Sequence, residues 1–337
     1  MGNTFKSVLI TGGAGYVGSV LTPLLLNQGY HVTVYDILYF GDQFLPKNHS
    51  NLTIIKGDIR DSELFASACN NIDVVIHLAC ISNDASFELD ENLSTTTNLN
   101  AFEPMVIAAK NAGVKRFVYA STSSVYGVSD QPDVKEDHPL IPITLYNDYK
   151  GRCEPLLFDH MNDDFTCVVI RPATVCGYAP RLRLDLSVNI LTNHAITNGN
   201  ILVFGGAQLR PNLHVKDVCR LYLQLLNETS EKIQGQIFNC GYQNLSIMEI
   251  AEIVKKGVEK EFPERAPITI ETTESDDIRS YHINSDKIRE HLNFTPIHSI
   301  EDAVCDLCQA FREEKIPYSM NDDRYYNVRT MKKLGAK

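Results

Sequence analysis

The sequence of 337 residues lacks the features of a membrane protein, a secreted protein and a nucleic-acid-binding protein. No apolar run approaches the roughly 20 residues that span a bilayer. Residues 1–6 lack the apolar region of a signal peptide. Acidic residues outnumber basic ones and give a net charge of −11, which disfavours a nucleic-acid surface. We therefore expect a cytoplasmic protein that has neither a membrane nor a nucleic acid as its partner.

The cysteines and histidines also lack a pairing or metal-binding pattern. The nine cysteines are an odd number, and most lie in apolar segments, as small buried hydrophobic residues do. Cys305 and Cys308 have C-x-x-C spacing, but no second pair accompanies them, so zinc and redox chemistry are not expected there. His77, His194 and His214 do not have ligand spacing, and we interpret them as structural. The sequence therefore predicts no metal site.

Near its start the sequence contains the pattern of a dinucleotide-binding unit. An apolar run at Val8 to Ile10 is typical of a buried parallel strand, and glycines follow at positions 12, 15 and 18. A helical pattern begins at Tyr16, so the glycines and the free N–H groups of that helix would face a pyrophosphate. A second strand, His31 to Tyr35, ends at Asp36, whose carboxylate suits two ribose hydroxyls and would repel a 2′-phosphate. The unit therefore predicts NAD as the cofactor.

Strands and helices alternate as far as about residue 172. The sequence predicts further strands at 52–56, 74–78, 116–120 and 166–170, helices at about 62–70, 97–112 and from 146, and an acidic loop at 82–94. Such β-α-β units form a doubly wound parallel sheet, which binds ligands at the carboxyl ends of its strands. We therefore predict an α/β fold with a Rossmann-like sheet and an NAD-binding domain over residues 1–172.

Beyond residue 172 the alternation weakens. Helical patterns at about 186–198, 215–227, 246–261 and 300–313 are separated by short strands at 202–204, 236–239 and 268–271. Ser246 and Glu249 have the spacing of a capping box. We predict a smaller mixed α/β lobe over residues 173–320 that mainly binds the substrate. The polar and aromatic tail, 321–337, packs either on the body of the protein or on a partner.

Tyr146 and Lys150 are four residues apart at the start of a predicted helix, so both project from one face. A lysine ammonium favours the phenolate and lowers the pKa of a tyrosine from its ordinary value of about 10. A phenolate can take the proton of a sugar hydroxyl while the same carbon gives a hydride to a nicotinamide. Thr122, at the end of the strand 116–120, could hydrogen-bond the same oxygen.

These motifs together resemble those of the extended short-chain dehydrogenase/reductases, the NAD-dependent epimerase/dehydratase group that acts on nucleotide sugars. The resemblance covers about residues 6–315, and it rests on residues 11–18, Asp58-Ile59, His77-Leu78-Ala79, Asn98, residues 121–127, Tyr146 to Lys150 and Arg171-Pro172. It implies that Thr122, Tyr146 and Lys150 are catalytic. It also implies a homodimer formed through the helices at 97–112 and 146–161.

The predicted cofactor-binding residues combine the glycine motif with the positions that the resemblance implies. They are Gly12, Gly15, Tyr16, Val17, Gly18, Asp36, Asp58, Ile59, Leu78, Ala79, Asn98 and Lys150.

Two departures from the family pattern narrow the function. The 4,6-dehydratases of this group carry Asp-Glu directly after the catalytic threonine, where this sequence has Ser123 and Ser124. Because hydroxyls are poor general acids, dehydration is not expected. Glu274-Ser275-Asp276-Asp277 replaces an Arg-Pro-Gly-Asp run that epimerases often have, and Arg279 is the candidate substitute for the missing arginine.

A nucleotide diphosphate needs cations, and an arginine can bond two of its oxygens. Arg210 matches the family position that contacts the diphosphate, and Arg279 is a further candidate. Arg181 and Arg183 lie in a run that resembles a subgroup with nucleotide-diphosphate-heptose dehydrogenases, although ordinary surface arginines explain them equally well. The predicted substrate-binding residues are Ser82, Asn83, Ser123, Thr174, Arg181, Arg183, Asn189, Arg210 and Arg279.

The sequence predicts an NAD-dependent epimerase of nucleotide-diphosphate sugars. Transient oxidation of a hydroxyl, which we assign to C4, gives a ketone that is reduced again on its other face. If the ketone were released instead, the same residues would make a dehydrogenase or, in reverse, a ketoreductase. A non-catalytic NAD-binding regulator is a third interpretation, but such proteins typically lose the tyrosine or the lysine, and both are present here.

Overall fold

The computed structural model describes residues 5–82, 84–129, 131, 133–274, 280 and 282–335. The predicted site residues Asn83 and Arg279 therefore lie outside the described residues. In chain order the strands are β1 (Ser7–Thr11), β2 (His31–Asp36), β3 (Leu52–Lys56), β4 (Val74–His77), β5 (Arg116–Ala120), β6 (Thr166–Pro172), β7 (Thr174–Cys176), β8 (Asn200–Phe204), β9 (Leu209–His214), β10 (Gln236–Cys240), β11 (Gln243–Ser246) and β12 (Thr269–Thr273).

The α-helices are α1 (Gly18–Asn27), α2 (Ser62–Ala68), α3 (Asp84–Phe87), α4 (Glu91–Thr95), α5 (Phe102–Asn111), α6 (Leu145–Phe158), α7 (Ser187–Asn198), α8 (Val215–Asn227), α9 (Ser230–Ile233), α10 (Ile247–Glu261), α11 (Asp286–Leu292), α12 (Ile300–Arg312) and α13 (Asn327–Leu334). A π-helix covers Thr96–Asn100, and short 3₁₀ helices cover Ser123–Tyr126, Pro263–Arg265 and Asp323–Tyr325. None of the helices in the described part of the chain is long and apolar enough to cross a bilayer.

The central sheet has seven parallel strands in the order β10-β6-β5-β4-β1-β2-β3. The predicted doubly wound, Rossmann-like fold is therefore confirmed. Its central strands are apolar because they are buried on both faces, as parallel strands covered by helices are. The strand order reverses between β1 and β4, which is where such sheets bind their ligands.

Two apolar cores cover the two faces of this sheet. Alternate residues of β1 enter them, since successive side chains of a strand point to opposite faces. Val8 and Ile10 pack in the core that includes α1 and α8, whereas Leu9 packs in the core that includes α2, α5 and α6. A third core joins α7, α10, α12 and β8 into the smaller lobe, around residues such as Val254 and Val304.

The smaller lobe is mixed, as predicted, with a sheet of β11-β9-β7 and a pair of β12 and β8. The capping box at the start of α10 is present: Ser246 Oγ accepts from the Glu249 N–H at 3.2 Å, and Glu249 Oε2 accepts from the Ser246 N–H at 2.8 Å. Strand β10 and helix α8 come from residues 173–320 but lie with the main sheet, where Phe238 and Tyr222 enter its core. The chain thus passes between the two parts more than once.

Other predicted elements differ in detail. The predicted acidic loop at 82–94 instead contains α3 and most of α4. Asp90 stabilises the start of α4, since its side chain accepts a hydrogen bond from the Leu93 N–H at 2.9 Å. The single helix predicted at 97–112 is divided into a π-helix and α5. The tail packs on the body of the chain: the carbonyl of Tyr325 accepts from the Leu184 N–H at 2.9 Å, and Met331 packs against Ile81.

Candidate active site

A cavity of about 930 Å³ opens at the carboxyl ends of the parallel strands, next to the point where the strand order reverses. Its lining brings together the glycine turn after β1, Asp36 after β2, and the predicted catalytic residues Thr122, Tyr146 and Lys150. The cavity lies at the upper end of the range of about 300–1,000 Å³ that is usual for ligand sites. The glycine turn, Asp36 and the three predicted catalytic residues therefore share one site.

The glycine turn is shaped for a close approach of a ligand to the backbone. Gly12 has a φ of +70°, and a Cβ there would stand 2.8 Å from the backbone of Ala79. A Cβ on Gly18 would overlap the carbonyl of Gly13. These positions therefore require glycine, and they leave the first turn of α1 facing the cavity, where its N–H groups can bind an anion.

Asp36 is held at the tip of β2 by the backbone. Its Oδ2 accepts from the Ala14 N–H at 3.0 Å, and its Oδ1 accepts from the Leu38 N–H at 2.8 Å. Burial raises the pKa of this carboxyl, and the two backbone hydrogen bonds and nearby Arg181 oppose that rise. Each oxygen keeps acceptor capacity for a further donor, so the carboxylate can receive two ribose hydroxyls.

Asp58 and Ile59 line the far end of the cavity, beyond Asp36. Arg60 donates to both oxygens of Asp58, with an Nη2–Oδ2 distance of 2.6 Å. Burial alone would raise the pKa of Asp58, but these hydrogen bonds hold it below its ordinary value. Asp58 is therefore a charged residue of the predicted cofactor site, and it is paired with Arg60.

The three predicted catalytic residues reach the cavity from two elements. Thr122 is extended, with a φ of −157°, and its Oγ1 caps the following 3₁₀ turn by accepting from the Ser124 N–H at 3.2 Å. Tyr146 lies in the first turn of α6, and its ring is 6.4 Å from that of Phe87. One turn later, the buried Lys150 donates from Nζ to the Ala120 carbonyl at 2.8 Å. The helix spacing thus turns the tyrosine and the lysine toward the same cavity.

A buried ionic network fixes α6 against the end of β5. Glu154 receives two hydrogen bonds from Arg171, at 3.0 Å from Nε and 2.6 Å from Nη2, and a third from Ser121 Oγ at 2.6 Å. Arg171 also donates to the hydroxyl of Tyr126 at 2.6 Å. Because Ser121 precedes Thr122 and Glu154 lies one turn after Lys150, the network holds the two catalytic elements in a fixed relation.

Arg181 and Arg183 line the cavity but are not surface residues, since their exposed fractions are 2% and 8%. Arg183 binds Asp185 through two hydrogen bonds, Nε to Oδ1 at 2.9 Å and Nη2 to Oδ2 at 3.2 Å. Its Nη1 donates to Ser82 Oγ at 3.3 Å. This arginine is therefore a paired group on the cavity wall. Burial opposes its charge, but Asp185 and, to a lesser extent, nearby Tyr146 raise its pKa above the ordinary value.

Arg181 lies on the cofactor side of the cavity. Its backbone N–H donates to Ser19 Oγ in α1 at 3.2 Å, and its guanidinium stands 3.6 Å from the ring centroid of Phe40. Burial, followed by the charge of Arg183, lowers the pKa of Arg181 to about 9. Its Nε is buried without a hydrogen-bond partner among the described residues, and such a group is expected to meet an acceptor.

Arg210 lines the cavity from the smaller lobe, on β9. Its Nη1 donates to the carbonyl of Leu209 at 2.9 Å. His194, Phe204 and Gln208 line the wall nearby, together with the apolar residues Leu191, Leu202 and Ile247. Burial lowers the pKa of His194, so its imidazole is neutral at pH 7. As far as the described residues go, this part of the cavity combines the cation of Arg210 with a neutral, largely apolar slot.

Of the other predicted residues, Thr174 and Ser82 line the cavity, but Asn98, Ser123 and Asn189 do not. The amide of Asn98 bonds the backbone of Ile81 in both directions, at 2.8 and 2.9 Å. Asn189 accepts from the Gly177 N–H at 3.0 Å, and the hydroxyl of Ser123 is buried without a partner among the described residues. The structure thus places Asn98 and Asn189 behind the walls, whose backbone they bond, and it places Ser124 rather than Ser123 in the lining; the binding roles of all three stay predictions.

Several lining residues were not found from the sequence. They are Asp84, Asn147, Asp185, Phe204, Gln208, Asn327 and Met331. Asp84 lies in the acidic stretch that the sequence marks, and the Oγ1 of Thr144 donates to it at 2.6 Å. Asn327 and Met331 carry no sequence signal, because only the folding of the tail brings them to the site.

Comparisons with known proteins show the family of this chain. A model of the NAD dependent epimerase/dehydratase family matches residues 8–241, more than half of the chain. A UDP-glucose 4-epimerase of Azospirillum brasilense is 26% identical over 320 residues, which span 88% of this chain and 89% of that protein. A UDP-N-acetyl-alpha-D-glucosaminuronate decarboxylase of Bacillus cytotoxicus is 29% identical over 332 residues, 91% of this chain and 98% of that protein.

A solved structure gives the same result at the level of the fold. MoeE5 in complex with UDP-glucuronic acid and NAD has a TM-score of 0.78 at 26% identity, with 91% of this chain and 99% of MoeE5 covered. Its bound NAD agrees with the cofactor that the glycine turn and Asp36 predict. With the matched family model, the seven-stranded sheet and the shared cavity in agreement, this chain belongs to the NAD dependent epimerase/dehydratase family.

Proposed function

We propose that the protein is an NAD-dependent epimerase that inverts C4 of a UDP-sugar by transient oxidation. The observation that carries this proposal is the meeting of Thr122, Tyr146 and Lys150 with the glycine turn in one cavity. Serines follow Thr122, so no carboxyl directly after it can protonate a leaving hydroxyl. Proton exchange at a single hydroxyl is the chemistry that these residues support.

The residues of the cavity fit NAD. The glycines leave room for a diphosphate at the start of α1, and Asp36 offers acceptors for two ribose hydroxyls. On the same side, the buried Nε of Arg181 has no hydrogen-bond partner within the part of the chain that the structure describes. We infer that Arg181 serves the diphosphate of the cofactor rather than that of the substrate. When bound, NAD supplies the reversible oxidation of an alcohol to a ketone.

The chain's own residues handle the proton. Tyr146 takes the proton of the C4 hydroxyl during oxidation and returns it to the same oxygen during reduction. Thr122 donates a hydrogen bond to that oxygen and so stabilises the charge that develops on it. Lys150, which is buried and fixed by the Ala120 carbonyl, supplies the positive charge that favours the phenolate. Net oxidation is absent only because the hydride returns to C4 when the proton returns to its oxygen.

The charges near Tyr146 favour a neutral sugar over a uronic acid. Among the described lining residues, Asp84 and Asp185 carry negative charge there, while Arg183 is already bound to Asp185 through two hydrogen bonds. A carboxylate on the sugar would therefore meet like charge, while Arg183, the arginine described on this wall, is already paired with Asp185. In the smaller lobe, we infer that Arg210 serves the substrate diphosphate and that the slot beside Phe204 takes the uracil.

The identity of the base is proposed from the relatives. The proteins from Azospirillum brasilense and Bacillus cytotoxicus are named for UDP-sugars, and MoeE5 is described in complex with UDP-glucuronic acid. A net dehydrogenase would use the same catalytic residues, so the test must follow both the sugar and the cofactor.

The test incubates the purified protein and NAD with UDP-glucose and, separately, with UDP-glucuronic acid. We expect NMR to detect the C4 epimer of UDP-glucose, without stoichiometric reduced nicotinamide in the absorbance spectrum. We expect conversion of UDP-glucuronic acid to be at least tenfold slower. Stoichiometric reduced nicotinamide would instead assign a dehydrogenase, and equal rates would contradict the preference for neutral sugars.

We also propose a homodimer formed through α5 and α6. Ile107 on α5 leaves 39% of its surface exposed, and burial of such a side chain against a second copy would be favourable. Light scattering at assay concentration is expected to give twice the mass of the chain. A single-chain mass would overturn this assignment without affecting the proposed chemistry.

A further inference from the structure

The C-terminal segment, which we define as residues 321–335, closes one side of the cavity. Helix α13 begins at Asn327, which is only 5% exposed, and Asn327 and Met331 both line the cavity. The segment therefore contributes to the site although Asn327 lies 144 residues beyond Arg183 in the sequence and the whole segment lies beyond the residues that the family model matches.

Asn327 uses its polar groups on three site residues. Its side-chain Oδ1 accepts from Arg181 Nη2 at 2.5 Å, and its Nδ2 donates to Ser82 Oγ at 3.0 Å. Its backbone N–H donates to Asp185 Oδ2 at 3.2 Å. These two side-chain contacts require a residue that both accepts and donates. The guanidinium of Arg181 can only donate, and the oxygen of Ser82 accepts here.

The partners of Asn327 belong to both halves of the site. Arg181 lies on the cofactor side, with its Nε buried and without a partner among the described residues. Ser82 and Asp185 each bind Arg183, on the wall near Tyr146. Asn327 therefore holds the guanidinium of Arg181 directly, and it holds that of Arg183 through Ser82 and Asp185.

The segment is anchored independently of these contacts. Met331 packs with Ile81 and Leu93, and the side-chain amide of Asn193 donates to the hydroxyl of Tyr326 at 3.3 Å. Loss of the Asn327 side chain should therefore leave the segment in position while it releases Arg181 and Ser82.

We propose that Asn327 is a positioning residue that retains the bound dinucleotide by holding Arg181 toward its diphosphate. The consequence for turnover depends on the proposed epimerase function. An epimerase must keep the reduced cofactor until the ketone has been reduced again, whereas loss of that cofactor leaves a keto-sugar and one equivalent of reduced nicotinamide in solution. Asn327 thus favours epimerisation over net oxidation.

The test compares Asn327→Ala with Asn193→Ala, which removes a side-chain hydrogen bond to the same segment but touches none of the three site partners. We expect calorimetry to give an NAD dissociation constant at least tenfold higher for Asn327→Ala and within twofold of the parent protein for Asn193→Ala. Asn327→Ala should also retain less NAD through gel filtration. An unchanged dissociation constant in Asn327→Ala would overturn the proposal.

A second variant separates hydrogen bonding from packing and from misfolding. Asn327→Gln keeps a donor and an acceptor but is larger, so it should bind NAD more tightly than Asn327→Ala. Equal or weaker binding by Asn327→Gln would assign a packing role and overturn the proposal. Thermal unfolding without nucleotide checks that each variant folds. These binding results do not depend on activity, so absence of an epimer product would contradict the proposed function alone.

Discussion

The two halves of the cavity are built in different ways. The cofactor half is made mainly by short stretches of chain: one glycine turn and one carboxylate at a strand tip, which backbone N–H groups hold in place. The sugar half is made by side chains that come from distant parts of the chain, such as Ser82, Arg183 and Asn327. The first half depends on backbone geometry and the second on long-range hydrogen bonds.

This difference indicates which half can change its specificity. Replacement of Gly12 or Gly18 forces backbone groups to move, so few alternatives are compatible with the turn. Replacement of a paired side chain on the sugar wall alters charge and shape without moving a strand. The family relatives agree with this contrast, since they share the fold while their names give different reactions on UDP-sugars.

Removal of the Tyr146 hydroxyl should have the largest effect on activity, because this hydroxyl transfers the proton. It should have little effect on cofactor binding. We expect Tyr146→Phe to lower kcat by about 10²–10⁴-fold, the usual contribution of a positioned acid or base. NAD affinity should change by less than threefold, since the cofactor half is intact. The measurements are initial rates with UDP-glucose and calorimetry with NAD.

Tyr149→Phe is the matched control, since this residue lies on the same helix and outside the cavity lining. Its hydroxyl lies 3.2 Å from the Oγ1 of Thr95, so the variant loses one hydrogen bond of similar type. Its kcat should stay within threefold of the parent value. Retained activity in Tyr146→Phe would remove this tyrosine from the mechanism.

The buried network that joins α6 to β5 should control stability. Glu154→Gln leaves the charge of Arg171 buried and unpaired, and breaking a buried pair in this way costs about 3–5 kcal/mol. The free energy of unfolding, measured in urea, should fall by that amount. Glu103→Gln is the control: Glu103 contacts His160 at 2.9 Å and is 44% exposed, so a loss below about 1 kcal/mol is expected. A similar small loss in Glu154→Gln would contradict the structural role of the network.

Arg210 tests the part of the sugar half that the smaller lobe lines. A hydrogen bond to a charged group contributes about 1.5–3 kcal/mol, so Arg210→Gln should raise the KM for the UDP-sugar by about 10–100-fold and change kcat little. Arg289→Gln removes an arginine outside the cavity lining, paired with Asp286, and should leave KM unchanged. If kcat fell and KM did not, the role assigned to Arg210 in binding the diphosphate would be wrong.

The smallest expected effect is the pH dependence of NAD binding. A ribose hydroxyl bonds a carboxylate better than a neutral carboxyl, so affinity should fall as pH falls through the pKa of Asp36. Burial raises that pKa above its ordinary value of about 3.9, so the loss should begin at a higher pH than for an exposed aspartate. Calorimetry should detect a severalfold loss of NAD affinity in the parent protein as the pH falls toward the pKa of Asp36. The affinity of Asp36→Asn should show no such change. If both proteins gave the same pH profile, Asp36 would be excluded as the group that controls the pH dependence of NAD binding.

Most of the cofactor half could be predicted from the sequence, because its geometry follows from local patterns. Glycine spacing, an apolar strand and a terminal acid each specify backbone positions within about 30 residues, and the structure unites them as expected. The sugar half could be predicted only in part. Asn189 was predicted to bind the substrate, yet its amide bonds the backbone of the wall, and Asn327 was missed because nothing in the tail's sequence specifies where it packs. In the cofactor half, Asn98 was likewise predicted to bind, and its amide bonds the backbone of Ile81.

The sequence by itself determined the class of fold, the dinucleotide turn and the tyrosine–lysine pair, because periodicity and short spacing govern local backbone geometry. Only the tertiary structure decided that β10 returns to the main sheet, that Arg181 and Arg183 are buried, and that the tail closes the cavity. Those outcomes depend on contacts between residues far apart in the chain. Burial of apolar surface and pairing of buried charge select such contacts, and no local pattern records them.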